Sequence, residues 1–235
     1  MGIFALGDPH LSFNEKGEAY KPMGIFGENW LNHDRKIKEN WEALVSPEDI
    51  VLVPGDLSWA LKLEEAKYDL EFLGQLPGKK IIVKGNHDLW WQGIGKVRKL
   101  LPESIEAIQN DHILLANKIA ICGTRGWTCP GEKNFTADDC KIYERELGRL
   151  RRSLASINDD VKDIIVMLHY PPTNGKHEKS GFIELLLEYK VKTCVYAHLH
   201  SESIKGALPE EKWGINFHLV SADAVGFTPK LIVKN

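Results

Sequence analysis

The chain has 235 residues, 43% hydrophobic and 27% charged, with a formal net charge of −3 when histidine is neutral. This length and composition suit one well-buried domain spanning residues 1–235 and exclude a disordered chain. The slight acidic excess argues against a nucleic-acid polymer as partner, because such binders usually carry excess positive charge. No run approaches the ~20 apolar residues that cross a bilayer. Met1–Leu6 lacks the basic and apolar regions of a signal peptide. A cytoplasmic protein without a membrane partner is expected. Cys122 and Cys194 lie in apolar runs, Cys129 and Cys140 in polar sequence, and none form a Cys-x-x-Cys pair, so free thiols are expected.

Short apolar or β-branched runs recur along the chain, each bounded by Gly, Pro, Asp or Asn. Ile3–Leu6 is the first predicted strand. Ile37, Trp41 and Leu44 then mark one helix face, stopped by Ser46-Pro47. Ile50–Val53 is the second strand, and Leu63, Ala66, Leu70 and Leu73 give the next helix its apolar stripe. Lys80–Val83 follows. Ile113–Ala116 and Ile119–Cys122 form a predicted hairpin turning at Asn117-Lys118. Thr136 to Asp139 reads as a cap for a helix carrying Leu147, Leu150, Leu154 and Ile157. Ile164–Leu168, a helix through Phe182–Glu188, then Thr193–Tyr196, Phe217–Val220 and Leu231–Val233 complete the series. Continuous apolar runs suggest strands covered on both faces. Strands alternating with helices, a hairpin and a strand-rich end predict an α/β fold with mixed sheet structure doubled into two packed layers.

Polar residues gather just beyond the carboxyl ends of these runs, where α/β sheets form ligand crevices. Asp8 and His10 follow the first run, Asp56 the second, and Gly85-Asn86-His87-Asp88 the third. His169 follows Ile164–Leu168, and His198 and His200 follow Thr193–Tyr196. Carboxylate and amide oxygens with neutral imidazoles suit zinc, manganese or iron. A carboxylate has two oxygens, so Asp56 is able to bridge two ions. The absence of Cys from the set disfavours a closed structural zinc site and favours an open one. Two such ions activate a water or hydroxide and clamp the oxygens of an in-line displacement at phosphorus. His87 is the candidate acid for the leaving oxygen, and Asp88 the candidate partner that orients its ring and raises its pKa.

The blocks Asp8-x-His10, Gly55-Asp56, Gly85-Asn86-His87-Asp88, His169 and His198-x-His200 together resemble the calcineurin-like metallophosphoesterase superfamily. All five stand in that family's order and span nearly the whole chain. The resemblance implies two packed mixed β-sheets flanked by helices and a binuclear centre. One metal ion, divalent or trivalent, would sit on Asp8, His10, Asp56 and His200. The second would sit on Asp56, Asn86, His169 and His198. His87 matches the family's catalytic histidine. One departure stands out: the family has Gly before the final His-x-His, and this chain has Ala197. The segments Pro54–Trp59, Lys84–Trp91, Gly123–Trp127 and His169–Pro172 further resemble a bacterial subgroup of phosphohydrolases.

Arg125, between two glycines, is a candidate for bidentate phosphate recognition, with a loop salt bridge as the plainer alternative. His33 is a candidate substrate contact, with a capping role as its alternative. Trp59, Trp90, Trp91 and Trp127 follow site segments and either pack under loops or line an apolar leaving-group pocket. The function expected is metal-dependent hydrolysis of a phosphate ester, with a small molecule favoured over nucleic acid by the acidic balance. A nucleotide phosphodiesterase or nuclease on the same fold is the first alternative. A scaffold that binds metal without turnover is the second, disfavoured because every ligand and His87 are present.

Overall fold

A computed structural model of the chain describes residues 1–158 and 160–234. Two mixed sheets pack face to face, with helices on both outer sides. The first sheet is built from β1 (Gly2–Ala5), β2 (Ile50–Val53), β3 (Lys79–Ile82), β4 (Ile105–Ala107) and β11 (Lys230–Lys234). Its strand order is β11-β1-β2-β3-β4, with only β11 antiparallel to its neighbour. The second holds β5 (His112–Leu114), β6 (Ile119–Thr124), β7 (Asp163–Leu168), β8 (Thr193–Tyr196), β9 (Glu211–Lys212) and β10 (Ile215–Leu219). Its order is β5-β6-β7-β8-β10-β9, parallel from β6 through β10 and antiparallel at both edges.

Helices make the crossovers that parallel neighbours require. α1 (His33–Leu44), α2 (Leu63–Gln75) and α3 (Ile94–Leu100) connect the strands of the first sheet, and α4 (Ala137–Ala155) and α5 (Gly181–Glu188) those of the second. Alternate side chains divide the core. On β2, Ile50 and Leu52 face the other sheet, among Ile121, Ile165 and Met167. Val51 and Val53 face the helices, with Trp41 and Leu70. A separate cluster joins α4 and α5 to the second sheet through Leu150, Phe182 and Val166. This layering explains why β2, β6 and β8 read as unbroken apolar runs: each is buried along its whole length.

The expected elements are present with end shifts of a few residues. Thr136 caps α4 as its sequence indicates, its hydroxyl accepting from Asp139 N at 3.1 Å. The turn at Asn117-Lys118 joins β5 to β6, with Lys118 at φ 61°. Helix α3 and strands β4 and β9 were not anticipated. Each is too short to carry a readable period. Two 3-10 turns, Met23–Phe26 and Glu28–Trp30, also escaped notice and form a strap before α1.

Lys80 supplies an internal tie. It is fully buried on β3, and its ammonium donates to the carbonyls of Leu76 (2.7 Å), Gly78 (2.8 Å) and Gly74 (3.4 Å) beyond and within the end of α2. Burial lowers its pKa to about 8. The folded state therefore binds this proton less well than the unfolded chain, so the stability tied to Lys80 rises as pH climbs from about 8 towards 10.5. Lys80→Met removes the ammonium donor from the carbonyls of Leu76 and Gly78, while Gly74 O keeps its bond from Ser104 Oγ at 2.9 Å. The substitution should cost about 1–3 kcal/mol in denaturant unfolding at neutral pH and flatten that alkaline rise. An unchanged midpoint would show that the tie contributes nothing.

Candidate metal centre

The polar residues singled out above converge at one edge of the sandwich, at the carboxyl ends of β1, β2, β3, β7 and β8. Asp8 links the two sheets there. Its Oδ2 accepts from His198 N at 2.9 Å, and neighbouring Gly7 N donates to Val220 O at 2.7 Å. Asp8, His10 and His200 each offer a ligand atom within 4.8 Å of one another, and so do Asp8, Asp56 and His169. Asp56 Oδ2 lies 3.8 Å from His10 Nε2 and 3.5 Å from His169 Nε2, between the two groups.

Close backbone packing produces this convergence. Gly55 has φ +89°, and a Cβ there would meet Gly85 Cα at 2.7 Å and His169 Nδ1 at 2.9 Å. A Cβ on Gly85 would strike Asp56 N. The ligand residues themselves bear left-handed backbone: Asp8 (54°), His10 (46°), Asp56 (52°) and His198 (74°) all have positive φ. For residues with a Cβ this conformation is costly, and strain of this kind collects at functional sites. Ala197 is not among the positive-φ residues. Its methyl group fills the space a Cβ on Gly7 would need, at 2.7 Å, so the departure from the family pattern is absorbed there.

Lone pairs face one another at the centre. His169 Nδ1 lies 3.0 Å from Pro54 O, and a carbonyl only accepts, so Nδ1 carries the proton. His169 Nε2 then presents a lone pair to Asn86 Oδ1 at 2.6 Å and stands 3.2 Å from His198 Nδ1. Burial pushes the pKa of both imidazoles down to about 3, so neither supplies a proton near neutrality. Burial also raises the pKa of the Asp8 and Asp56 carboxyls above the usual carboxylate range. Asp8 Oδ1 and His10 Nδ1 are buried without any hydrogen-bond partner. Metal ions held here would neutralise the carboxylates and take up imidazole lone pairs, and the mixed N/O set fits zinc, manganese or iron.

His87 is exposed and lies in the cleft beside the cluster. Its backbone N donates to Asp56 Oδ1 at 2.7 Å, and its ring sits 5.6 Å from His10 and 4.4 Å from Trp59. Asp88 differs from expectation. Its Oδ1 accepts from Leu57 N (2.9 Å), Ser58 N (3.2 Å) and Trp90 Nε1 (2.9 Å), and its Oδ2 from Gly85 N (2.8 Å). Both oxygens are spent on clamping the loops after β2 and β3, and neither orients the His87 ring.

Arg125 and His33 are likewise structural in their contacts. The Arg125 guanidinium pairs with buried Glu146 at 3.3 Å and stacks on Trp127, while its carbonyl accepts from His169 N at 3.0 Å. The loop salt bridge is the observed arrangement, and the residue supports the His169 turn. His33 is buried at the start of α1, with Nε2 3.2 Å from His10 O, a bond in which the imidazole donates. Neither residue lines the cleft at His87.

Asp223 is the residue that sequence reasoning missed. Its Oδ1 lies 2.7 Å from His200 Nδ1, and its Oδ2 accepts from Ser201 N at 2.9 Å. Burial opposes charge on His200, but the bond to Asp223 and the Asp8 carboxylate outweigh it and raise the imidazole pKa. The pair directs His200 Nε2 towards Asp8 Oδ2, 3.4 Å away. Asp223 follows the run Phe217–Val220 much as Asp8 follows Ile3–Leu6, so the strand-end rule could have found it.

A two-sheet sandwich with carboxylates, an amide and imidazoles gathered at its parallel strand ends defines the class of metal-dependent phosphoesterases. The chain belongs to the calcineurin-like phosphoesterase family, whose model matches residues 1–202. No curated protein matches it. Among solved structures it resembles the phosphopantetheinyl hydrolase PptH of Mycobacterium tuberculosis. That match has TM-score 0.55 and 17% identity, covering 94% of this chain and 88% of that one. It also resembles AQ665 of Aquifex aeolicus, a protein of unknown function, with TM-score 0.50 and 15% identity over 97% and 94% of the two chains. These likenesses concern the fold. Among the described residues no helix is long and apolar enough to cross a membrane.

Asp223→Asn removes the carboxylate behind His200. It should weaken manganese or zinc binding by about 10–100-fold, as loss of a partner behind a ligand imidazole does elsewhere. Calorimetric titration of the metal-free protein measures this, and equal affinities in the two proteins would rule the role out.

Proposed function

We propose that this chain hydrolyses a small phosphate ester at a binuclear metal centre. The convergence of His169 Nε2, His198 Nδ1, Asn86 Oδ1 and Asp56 Oδ2 supports the reading. One ion would be held by Asp8, His10, Asp56 and His200, and the other by Asp56, Asn86, His169 and His198. When bound, such ions lower the pKa of water and offset charge on phosphoryl oxygens. The protein's own groups do the rest. Asp56 holds its position through the bond from His87 N. Asp223 fixes the ring orientation of His200, and Pro54 O that of His169. His87, exposed beside His10, is the group available to protonate the leaving oxygen. The cleft above, about 160 Å³, suits a small molecule better than a folded phosphoprotein. A cytoplasmic location is part of the same proposal.

A second reading, cleavage of a nucleotide phosphodiester, gains support from a further cleft of about 450 Å³ that meets the first at His198. Lys133, Asn134 and Tyr170 line it, and a diester has a second arm to occupy it.

Manganese-loaded protein should hydrolyse an aryl phosphomonoester, and chelation should abolish the activity. Asp56→Asn should lower kcat by about 10²–10³-fold, the scale of losing electrostatic stabilisation. His87→Ala should lower it by about 10²–10⁴-fold, as loss of a general acid does. A diaryl phosphate turned over faster than the monoester would favour the second reading. If the fully loaded protein cleaves neither ester, hydrolysis is the wrong function.

A further inference from the structure

The floor of the cleft is polar, with His10, Asp56, His87, His198 and His200, while one wall is apolar. Met23, Phe26, Trp30 and Trp59 form that wall. Trp59 stacks on His10, with centroids 4.8 Å apart and planes 19° apart. The Phe26 ring runs parallel to Trp59, within 4°, at a centroid distance of 6.5 Å. Trp30 meets His200 edge-on at 5.6 Å. The aromatic surface therefore begins directly beside the imidazoles of the centre.

The strap between β1 and α1 supplies three of the four wall residues. Met23 and Trp30 are buried anchors at its ends. Trp59 Nε1 donates to Met23 Sδ at 3.2 Å, and Trp30 packs edge-on against Phe227 at 5.0 Å. Phe26, between these anchors, stays 48% exposed. A large apolar ring held out at a cleft mouth loses nothing by gaining a cover, and removing its apolar surface from water is favourable. An amphipathic ligand matches the two surfaces: an anionic phosphoryl group on the floor, and an apolar group along the wall. The rings select a planar group, since aromatic pairs gain from offset-stacked and edge-to-face contacts beyond area burial. The cleft volume of about 160 Å³ suits one ring better than a long chain. A cavity of about 150 Å³ admits benzene.

We propose that the Met23–Trp30 strap and Trp59 form a leaving-group subsite for a planar aromatic substituent, so that the substrates are phosphate esters of aromatic or heteroaromatic groups. The subsite rests on the hydrolase reading for its orientation towards the centre, but binding tests it separately. The probes are phenylphosphonate and methylphosphonate, which resist hydrolysis, titrated calorimetrically into manganese-loaded full-length protein. The phenyl compound should bind at least about tenfold tighter, equivalent to about 1.4 kcal/mol. Phe26→Ala, at a half-exposed position that does not threaten folding, should cut that preference to about threefold or less. Leu114→Ala, a remote exposed position on β5, should retain it. Equal binding of the two phosphonates, or a preference untouched by Phe26→Ala, overturns the subsite. Turnover of an aryl phosphate is read in parallel. Turnover without the binding preference overturns the subsite and leaves hydrolysis standing. The preference without turnover supports the subsite and removes hydrolysis.

Discussion

Asp8 is the residue on which both the fold and the site depend. It lies just beyond β1 of the first sheet and accepts from His198 N, just beyond β8 of the second, across 190 positions of sequence. Its other oxygen is buried with no hydrogen-bond partner, 3.5 Å from His169 Nδ1. One carboxylate thus ties the two strand ends together and contributes to both groups of metal-competent atoms. Burial without a countercharge is expensive for a carboxylate, and its raised pKa reflects that cost. The buried imidazoles of His169 and His198 supply lone pairs but no positive charge. Such a cluster is complete only with a cation, and its stability is coupled to occupancy.

The backbone pays for this arrangement in strain. Four ligand residues, Asp8, His10, Asp56 and His198, adopt left-handed φ. Two glycines let the loops after β2 and β3 touch, and Asp88 fastens them with four hydrogen bonds to its carboxylate. That clamp holds Asp56 and Asn86 at fixed separation although they belong to different strands. Asp69 extends it: Ser58 Oγ donates to its carboxylate, as does Phe13 N at 2.6 Å, so the loop after β2 is also tied to α2 and to the segment after β1. Rigidity of this kind keeps the ligand atoms from relaxing away from one another.

Much of this was legible from residue order. The strands announced themselves because both faces of each sheet are covered, and a chain has few ways to pack two such sheets. The candidate metal ligands were legible because each stands just past the end of an apolar run. What stayed hidden was direction. Asp88 adjoins His87 in sequence, yet their side chains diverge, one into the loop clamp and one into the cleft. Arg125 has the chemistry of a phosphate ligand, but buried Glu146 on α4 claims its guanidinium first. His33 turns to the His10 carbonyl for the same reason: a buried donor takes the nearest acceptor. The strap escaped because 3-10 turns of three and four residues carry no period.

The aromatic wall and the polar floor are best understood as one device. Trp30 and Trp59 cover His10, and the same exclusion of water that lowers imidazole pKa values strengthens every electrostatic contact within the cleft. An apolar substituent lying against Phe26 would extend that cover over the site's open side. Binding energy gained at the wall, away from the reacting phosphorus, is then available to hold the phosphoryl group in register with the floor. A substrate lacking the apolar part would leave the cleft wetter and its phosphoryl group less constrained. Specificity and rate would thus share one origin, the geometry that brings a short apolar strap over the carboxyl ends of five strands.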